Sequence, residues 1–178
     1  MTAIQVHDKN FVPYLTAQTI ADKVSQLALQ ISKDYEGKRP LFLAVLNGSF
    51  LFAADLFRNL TIEAEISFIK LASYKGTTST GNVITAIGLE ESLHERHIIL
   101  LEDIIDTGKT LHGFIPQLEH QGPASIRIAA LLTKPEALQY PVHADYIGFE
   151  IPNKFVVGYG LDYDGLGRNI PEIYQLEE

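Results

Sequence analysis

The sequence predicts an α/β domain, one unit spanning residues 1–178, with a largely parallel, twisted sheet flanked by helices. Two observations carry this. Short apolar runs at Leu41–Leu46 and His97–Leu101 have the character of strands buried on both faces, and Ile126–Leu132 adds a further strand. The first two are each followed by a turn and a stretch of helical periodicity, the strand–turn–helix order of a parallel sheet. A third observation excludes other classes: 46% hydrophobic and 20% charged residues, with no low-complexity tract or internal repeat, describe a globular chain rather than a disordered one.

The elements follow in order. Over Thr16–Ser32, apolar residues at Ile20, Val24, Leu27, Ala28 and Ile31 form one helical stripe, with Thr16 as N-cap and Gly37 and Pro40 as punctuation. The strand Leu41–Leu46 leads through Asn47-Gly48-Ser49 into a helix over 50–59. Ile62, Ala64, Ile66 and Phe68 alternate with polar residues, predicting a strand with one wetter face. Ser73–Asn82, polar and glycine-bearing, is expected as an exposed, mobile loop, with Val83–Ile87 as the return strand of a hairpin. After His97–Leu101 comes the segment 102–110, then Leu111, Phe114, Ile115 and Leu118 at helical spacing. Pro116 there is expected to kink or shorten the helix, because it lacks an N–H. Ile126–Leu132, Tyr146–Phe149 and Phe155–Val157 complete the set of strands.

Charge and composition narrow the function classes. Fourteen basic against 22 acidic side chains give a net charge of −8, a surface that disfavours nucleic acid and anionic membranes as partners. There are no cysteines, so thiolate metal sites are excluded, and the six histidines lack metal-ligand spacing. The first ten residues lack the apolar core of a signal peptide, and no apolar run approaches the roughly 18 residues of a membrane span. A cytoplasmic protein is expected.

The segment Glu102-Asp103-Ile104-Ile105-Asp106-Thr107-Gly108-Lys109-Thr110 stands at the carboxyl end of a predicted strand and opens a helix. Ligands of open parallel sheets bind at such ends, and a helix N-terminus suits a phosphate. Thr107 and Thr110 offer hydroxyls, and Gly108 lets the main chain come close. Gly108-Lys109-Thr110 copies the end of a nucleoside-triphosphate P-loop, but the glycine required five residues earlier is Asp103. The carboxylates Glu102, Asp103 and Asp106 would also repel a polyphosphate there. They suit the vicinal hydroxyls of a ribose instead. Strand neighbours point to opposite faces, so Glu102 and Asp103 can share a ribose only if strand geometry has ended by Glu102. The bland alternative is an acidic turn complementing the helix dipole.

Segment 102–110 resembles the 5-phosphoribosyl 1-diphosphate motif of the type I phosphoribosyltransferases. Several further motifs between about Leu41 and Pro171 resemble the hypoxanthine-guanine phosphoribosyltransferases. Leu46-Asn47-Gly48-Ser49 looks like their pyrophosphate loop, whose first peptide bond is often a non-proline cis bond. Ser73-Tyr74 resembles the start of their flexible catalytic loop. Leu131-Leu132-Thr133-Lys134 and 149–163 resemble their purine-binding segments, and Arg168 falls at their pyrophosphate-binding arginine.

The resemblance implies the type I phosphoribosyltransferase fold, with a small base-binding hood made by the N- and C-terminal segments. It implies transfer of a phosphoribosyl group from 5-phosphoribosyl 1-diphosphate to hypoxanthine or guanine, assisted by Mg²⁺, in a homodimer or homotetramer. Asp106 would be the general base at purine N7. Glu102, Asp103, Asp106, Thr107, Gly108, Lys109 and Thr110 would hold the ribose phosphate, and Leu46, Asn47, Gly48 and Arg168 the pyrophosphate. Lys134, Phe155, Val156 and Asp162 would bind the purine, with Asp162, Glu102 and Asp103 toward the metal. Read in isolation, Lys134 is a solvated loop lysine, Phe155 a core aromatic, Asp162 a turn acid and Arg168 a surface ion-pair partner. Two departures stand out: Asn47 replaces a common Lys or Arg, and Gly165-Leu166-Gly167 is poor in aromatic residues. The competing functions are a regulator that senses phosphoribosyl diphosphate, and a transferase for xanthine or a pyrimidine.

Overall fold

The computed structural model describes residues 2–75 and 82–177. Its strands are β1 (Ile4–Val6), β2 (Lys9–Leu15), β3 (Leu41–Leu46), β4 (Glu65–Lys75), β5 (Asn82–Ile87), β6 (His97–Ile105), β7 (Ser125–Thr133), β8 (Tyr146–Glu150), β9 (Val156–Val157) and β10 (Ile173–Leu176). The helices are α1 (Ala17–Asp34), α2 (Phe50–Arg58) and α3 (Lys109–Glu119). No helix among the described residues is long and apolar enough to cross a membrane.

Six strands form the main sheet in the order β5-β4-β3-β6-β7-β8; only the β4–β5 pair is antiparallel. Phe42, Ala44, Ile99, Leu101, Ala129 and Leu131 pack on one face with α1 and α2. Leu41, Leu43, Ile98, Leu100, Ile128 and Ala130 pack on the other with Leu111, Phe114 and Leu118 of α3. Both faces are covered, which is why these strands read as nearly continuous apolar runs. The Thr16 hydroxyl accepts from the Thr19 N–H at 3.0 Å, the predicted cap.

The pleat of the sheet changes phase at one transverse row. In β7, Leu131 and Leu132 both pack in the α1–α2 core. In β6, Ile104 joins that core although Ile98 and Leu100 face the other. In β8, Tyr146 and Phe149 share a face, three residues apart. The row where this happens is Asp103–Leu131–Gly148, the one absent from both parallel ladders.

Several expectations are corrected. Strand geometry persists in β6 to Ile105, so it has not ended at Glu102. Glu102 lies toward Val45, Leu71 and Leu111, while Asp103 lies toward Gly48 on the α2 side. The helix α3 continues three residues beyond Pro116; the missing N–H removes one bond of its last turns, while Phe114 and Leu118 stay buried on either side. The strand expected from Ile62 begins at Glu65, and Phe68 is 43% exposed. Ser73 and Tyr74 stand in β4, opposite Ile84 and Val83. The remainder of the expected loop, residues 76–81, lies outside the described residues.

The strand at Phe155–Val157 does not join the main sheet. Val156–Val157 is the outer strand of a second, antiparallel sheet ordered β1-β2-β10-β9, formed by the two ends of the chain.

Candidate active site

A cavity of about 290 Å³ opens at the carboxyl ends of β3 and β6. Its walls include Leu46, Glu102, Asp106, Thr107, Gly108, Lys109 and Thr110. Gly108 is the N-cap of α3 and has no side chain to cap it; only the Lys109 N–H, among the described bonds, reaches a side chain, the Thr107 hydroxyl at a long 3.4 Å. The N–H groups of its first turn are thus available to an anion, in the positive field of the helix end. The loop is braced from behind. The Thr107 carbonyl accepts from the Gln139 and Tyr140 N–H groups (3.0 and 3.1 Å), and the Lys134 N–H bonds to the Ile105 carbonyl at 2.9 Å. A Cβ on Gly108 would stand 2.9 Å from Leu138 and 3.0 Å from the Tyr140 carbonyl oxygen. This brace at 138–140 carries no motif, and sequence reasoning missed it.

Asp106 and Lys134 meet at one edge of the cavity. The Lys134 Nζ donates to Asp106 Oδ2 at 2.9 Å; the lysine side chain is 7% exposed and the aspartate 48%. Lys134 is therefore no solvated loop lysine. Its stem is buried behind the site, and its ammonium has a charge-assisted bond there.

Glu102 and Asp103 behave differently from exposed acids. Burial, with the neighbouring Asp103 carboxyl, raises Glu102 well above the ordinary carboxylate range. Burial pushes Asp103 up to about 6, partly offset by the Ile104 N–H and Arg168. A carboxyl raised in the folded chain keeps a proton that the unfolded chain has lost. The stability this supplies is complete below the unfolded value of about 3.8 and is lost as pH rises through about 6. Without ligand, the chain is expected to lose on the order of 2 kcal/mol between pH 4 and 7.5 from this group. Melting curves across that range test it: Asp103→Asn should flatten the fall, and an unaltered pH profile would count against it.

The pyrophosphate candidates are drawn together by close main-chain approaches. The Leu46–Asn47 peptide is cis, as the resemblance implies, and Asn47 is exposed. A Cβ on Gly48 would overlap the Asp103 carboxylate, and one on Gly160 would overlap the Gly48 carbonyl oxygen. The Arg168 guanidinium donates to the Gly160 carbonyl at 2.6 Å and pairs with Asp162 Oδ1 at 2.8 Å. Asp162 Oδ2 accepts from the Gly165 N–H at 2.7 Å. Gly160 is the residue that joins these pieces, and its place directly after two other positive-φ positions, Gly158 and Tyr159, was not singled out in the sequence.

Phe155 is 43% exposed, unlike a core aromatic. Tyr163 meets it edge-on (5.7 Å, 80°), and buried Phe11 lies at 6.1 Å. Tyr163 is itself clasped by the β1–β2 turn: its hydroxyl donates to Asp8 at 2.7 Å, and the His7 ring packs edge-on at 5.4 Å. Val156 pairs with Gln175, while the neighbouring Phe155 carbonyl accepts from the Leu176 N–H at 2.8 Å. Antiparallel alternation therefore turns the Val156 N–H and C=O away from β10, toward the free edge of the sheet.

Among the described residues no group of three or more His, Asp or Glu side chains could hold a metal. The acids suit a cation that arrives on a polyanionic ligand and takes one or two carboxylates, as Mg²⁺ does. Asp162 and Asp103 are near enough for the first to raise the second.

A cavity at a helix N-terminus, beside a corner of main-chain and arginine donors, is the arrangement a phosphoribosyltransferase needs. The family described as "Phosphoribosyl transferase domain" matches residues 13–164. The chain is 41% identical over 160 residues to a hypoxanthine-guanine phosphoribosyltransferase of Streptococcus pneumoniae, covering 89% of each chain. It is 40% identical over 162 residues to that of Streptococcus mutans, covering 90% of each. Among solved structures, a hypoxanthine-guanine phosphoribosyltransferase from Bacillus anthracis superposes with a TM-score of 0.86 at 36% identity, over 93% of this chain and 98% of that one. A hypoxanthine phosphoribosyltransferase from Staphylococcus aureus gives 0.87 at 35% identity, over 93% and 91%. The chain belongs to the hypoxanthine-guanine phosphoribosyltransferase family, and its α/β architecture is the type I phosphoribosyltransferase fold.

Proposed function

We propose that this enzyme joins hypoxanthine or guanine to 5-phosphoribosyl 1-diphosphate, giving IMP or GMP and pyrophosphate. The observation that carries the reading is the Lys134–Asp106 pair at 2.9 Å on the edge of the phosphate cavity. A 6-oxopurine presents an acceptor, O6, beside a donor, N7–H. An ammonium and a carboxylate side by side match that pair of atoms.

Purine N9 attacks C1′ as the bond from C1′ to the diphosphate oxygen breaks, through a state with oxocarbenium character. The N7–H grows more acidic as the C1′–N9 bond forms, and Asp106 takes its proton. Lys134 at O6 stabilises the electron density left on the ring. Phe155 stacks on the purine and the free Val156 main-chain groups read its edge. The ribose 5-phosphate lies on Thr107, Gly108, Lys109 and Thr110; Glu102, in the same cavity, meets the ribose hydroxyls, while Asp103, on the other side of β6 against Gly48, lies toward the diphosphate corner. The departing diphosphate meets Gly48 and Arg168, with the Leu46–Asn47 main chain beside it. Mg²⁺, when bound with the diphosphate, shields its charge and favours its departure; Asp162 and Asp103, which lie near each other, would hold it, with Glu102 the remaining candidate. Ser73 and Tyr74 belong to the segment that covers the reacting centre and excludes water. A homodimer or homotetramer would cover Phe68 and Ile87, apolar side chains exposed at 43% and 53%.

Incubation with phosphoribosyl diphosphate, Mg²⁺ and, in parallel, hypoxanthine, guanine or xanthine tests the assignment. Formation of IMP or GMP is expected, and no turnover with any 6-oxopurine would sink it. Phe155→Ala is expected to weaken purine binding by roughly 1–3 kcal/mol, the range for a lost base–aromatic stack. Unaltered purine affinity in a titration would return Phe155 to a packing role.

A further inference from the structure

We infer that the hydrogen bond between Tyr159 and Asp55 is a positioning tie that holds the diphosphate corner together. The inference rests on the proposed function and concerns residues that touch neither substrate. Tyr159 adopts φ +49, between Gly158 and Gly160 at +101 and +98. A side chain in the left-handed region is costly, and it persists only where its surroundings over-determine it. Here the Tyr159 N–H donates to the Ile170 carbonyl at 2.7 Å, and the ring is buried in the α1–α2 core. Its hydroxyl donates to Asp55 Oδ2 at 2.7 Å, while Asp55 Oδ1 pairs with Arg58 at 3.1 Å.

The consequence lies in what each partner carries. Asp55 sits on α2, the helix that begins directly after the Asn47-Gly48-Ser49 turn. Tyr159 precedes Gly160, which abuts the Gly48 carbonyl and exchanges hydrogen bonds with Arg168: its N–H donates to the Arg168 carbonyl at 3.0 Å, and its carbonyl accepts from the guanidinium at 2.6 Å. Two loops more than a hundred residues apart thus share one side-chain anchor. Phe155 and Val156 have another, the ladder to β10. The tie therefore acts on the diphosphate half of the site and leaves the purine half to its own support.

The test compares wild type with Tyr159→Phe, Asp55→Ala and Asp55→Asn. Tyr159→Phe and Asp55→Ala should each raise the KM for phosphoribosyl diphosphate about tenfold, the size expected from losing a hydrogen bond to a charged group. The purine KM should stay within about twofold of wild type, since its supports do not include this bond. Asp55→Asn, which keeps an acceptor for the hydroxyl, should restore most of the loss. Equal rises in both KM values, or a lowered melting temperature with neither changed, would overturn the tie and leave a plain strut. Wild-type turnover is a separate control. If wild type turns over no 6-oxopurine the proposed function fails, and titration with magnesium pyrophosphate then reads the tie alone. Equal affinity in wild type and Tyr159→Phe would overturn it.

Discussion

Asp106→Asn is expected to lower kcat by about 10²–10⁴-fold, the usual worth of a positioned general base, while phosphoribosyl diphosphate still binds. The amide is nearly the same shape as the carboxylate, and its oxygen can still accept from Lys134 Nζ, now 2.9 Å from Asp106 Oδ2. What it loses is the ability to take a proton from N7. Geometry is held and chemistry is removed, so the effect should fall on kcat rather than on the donor's KM. Steady-state kinetics with both substrates varied checks this. A kcat within a few-fold of wild type would end the role of Asp106 as base and leave it a partner for a buried lysine.

Gly160→Ala should do comparable damage by a different route. Its φ of +98 strains any side chain, and a Cβ there would drive into the Gly48 carbonyl, main chain against main chain. Neither side can yield as a flexible side chain would. Strain and overlap together should cost roughly 3 kcal/mol of stability. If the corner opens to relieve them, kcat/KM for phosphoribosyl diphosphate should fall by about 10²-fold, as misplaced binding groups do. Gly37→Ala is the control: φ is +74, but nothing lies within 4 Å. It should cost only about 1–2 kcal/mol for the left-handed backbone and leave both KM values alone. If Gly160→Ala behaves like Gly37→Ala, the contact with Gly48 is not what shapes the corner.

The central strands and their helices were legible because burial on two faces leaves a simple trace: apolar runs for β3, β6 and β7, and a stripe for α1. The strand-to-helix junction of the candidate phosphate loop was legible from Thr107, Gly108 and Thr110, because anion chemistry there is local. What escaped was everything set by contact at a distance. The far end of β6 looked like a loop because two acids, Glu102 and Asp103, interrupt its apolar pattern, yet its ladder continues to Ile105 through the altered pleat at Asp103. The strands β1, β2 and β10 of the second sheet were not read. They are short, β2 contains Pro13, and they pair the two ends of the chain. Lys134, taken from its neighbours, belongs in solvent; only the partner 28 residues away explains its burial.

The edge strand β9 has a further consequence. An open sheet edge invites other chains to add a strand, the first step toward aggregation, and long apolar edges are hazardous for that reason. Here the edge is two residues long, Val156–Val157, and Gly158 turns the chain away at φ +101. That length offers one donor and one acceptor on Val156, enough for the rim of a flat heterocycle and too little for a second polypeptide to find a register. The surface open to a small molecule is closed to self-association by its shortness.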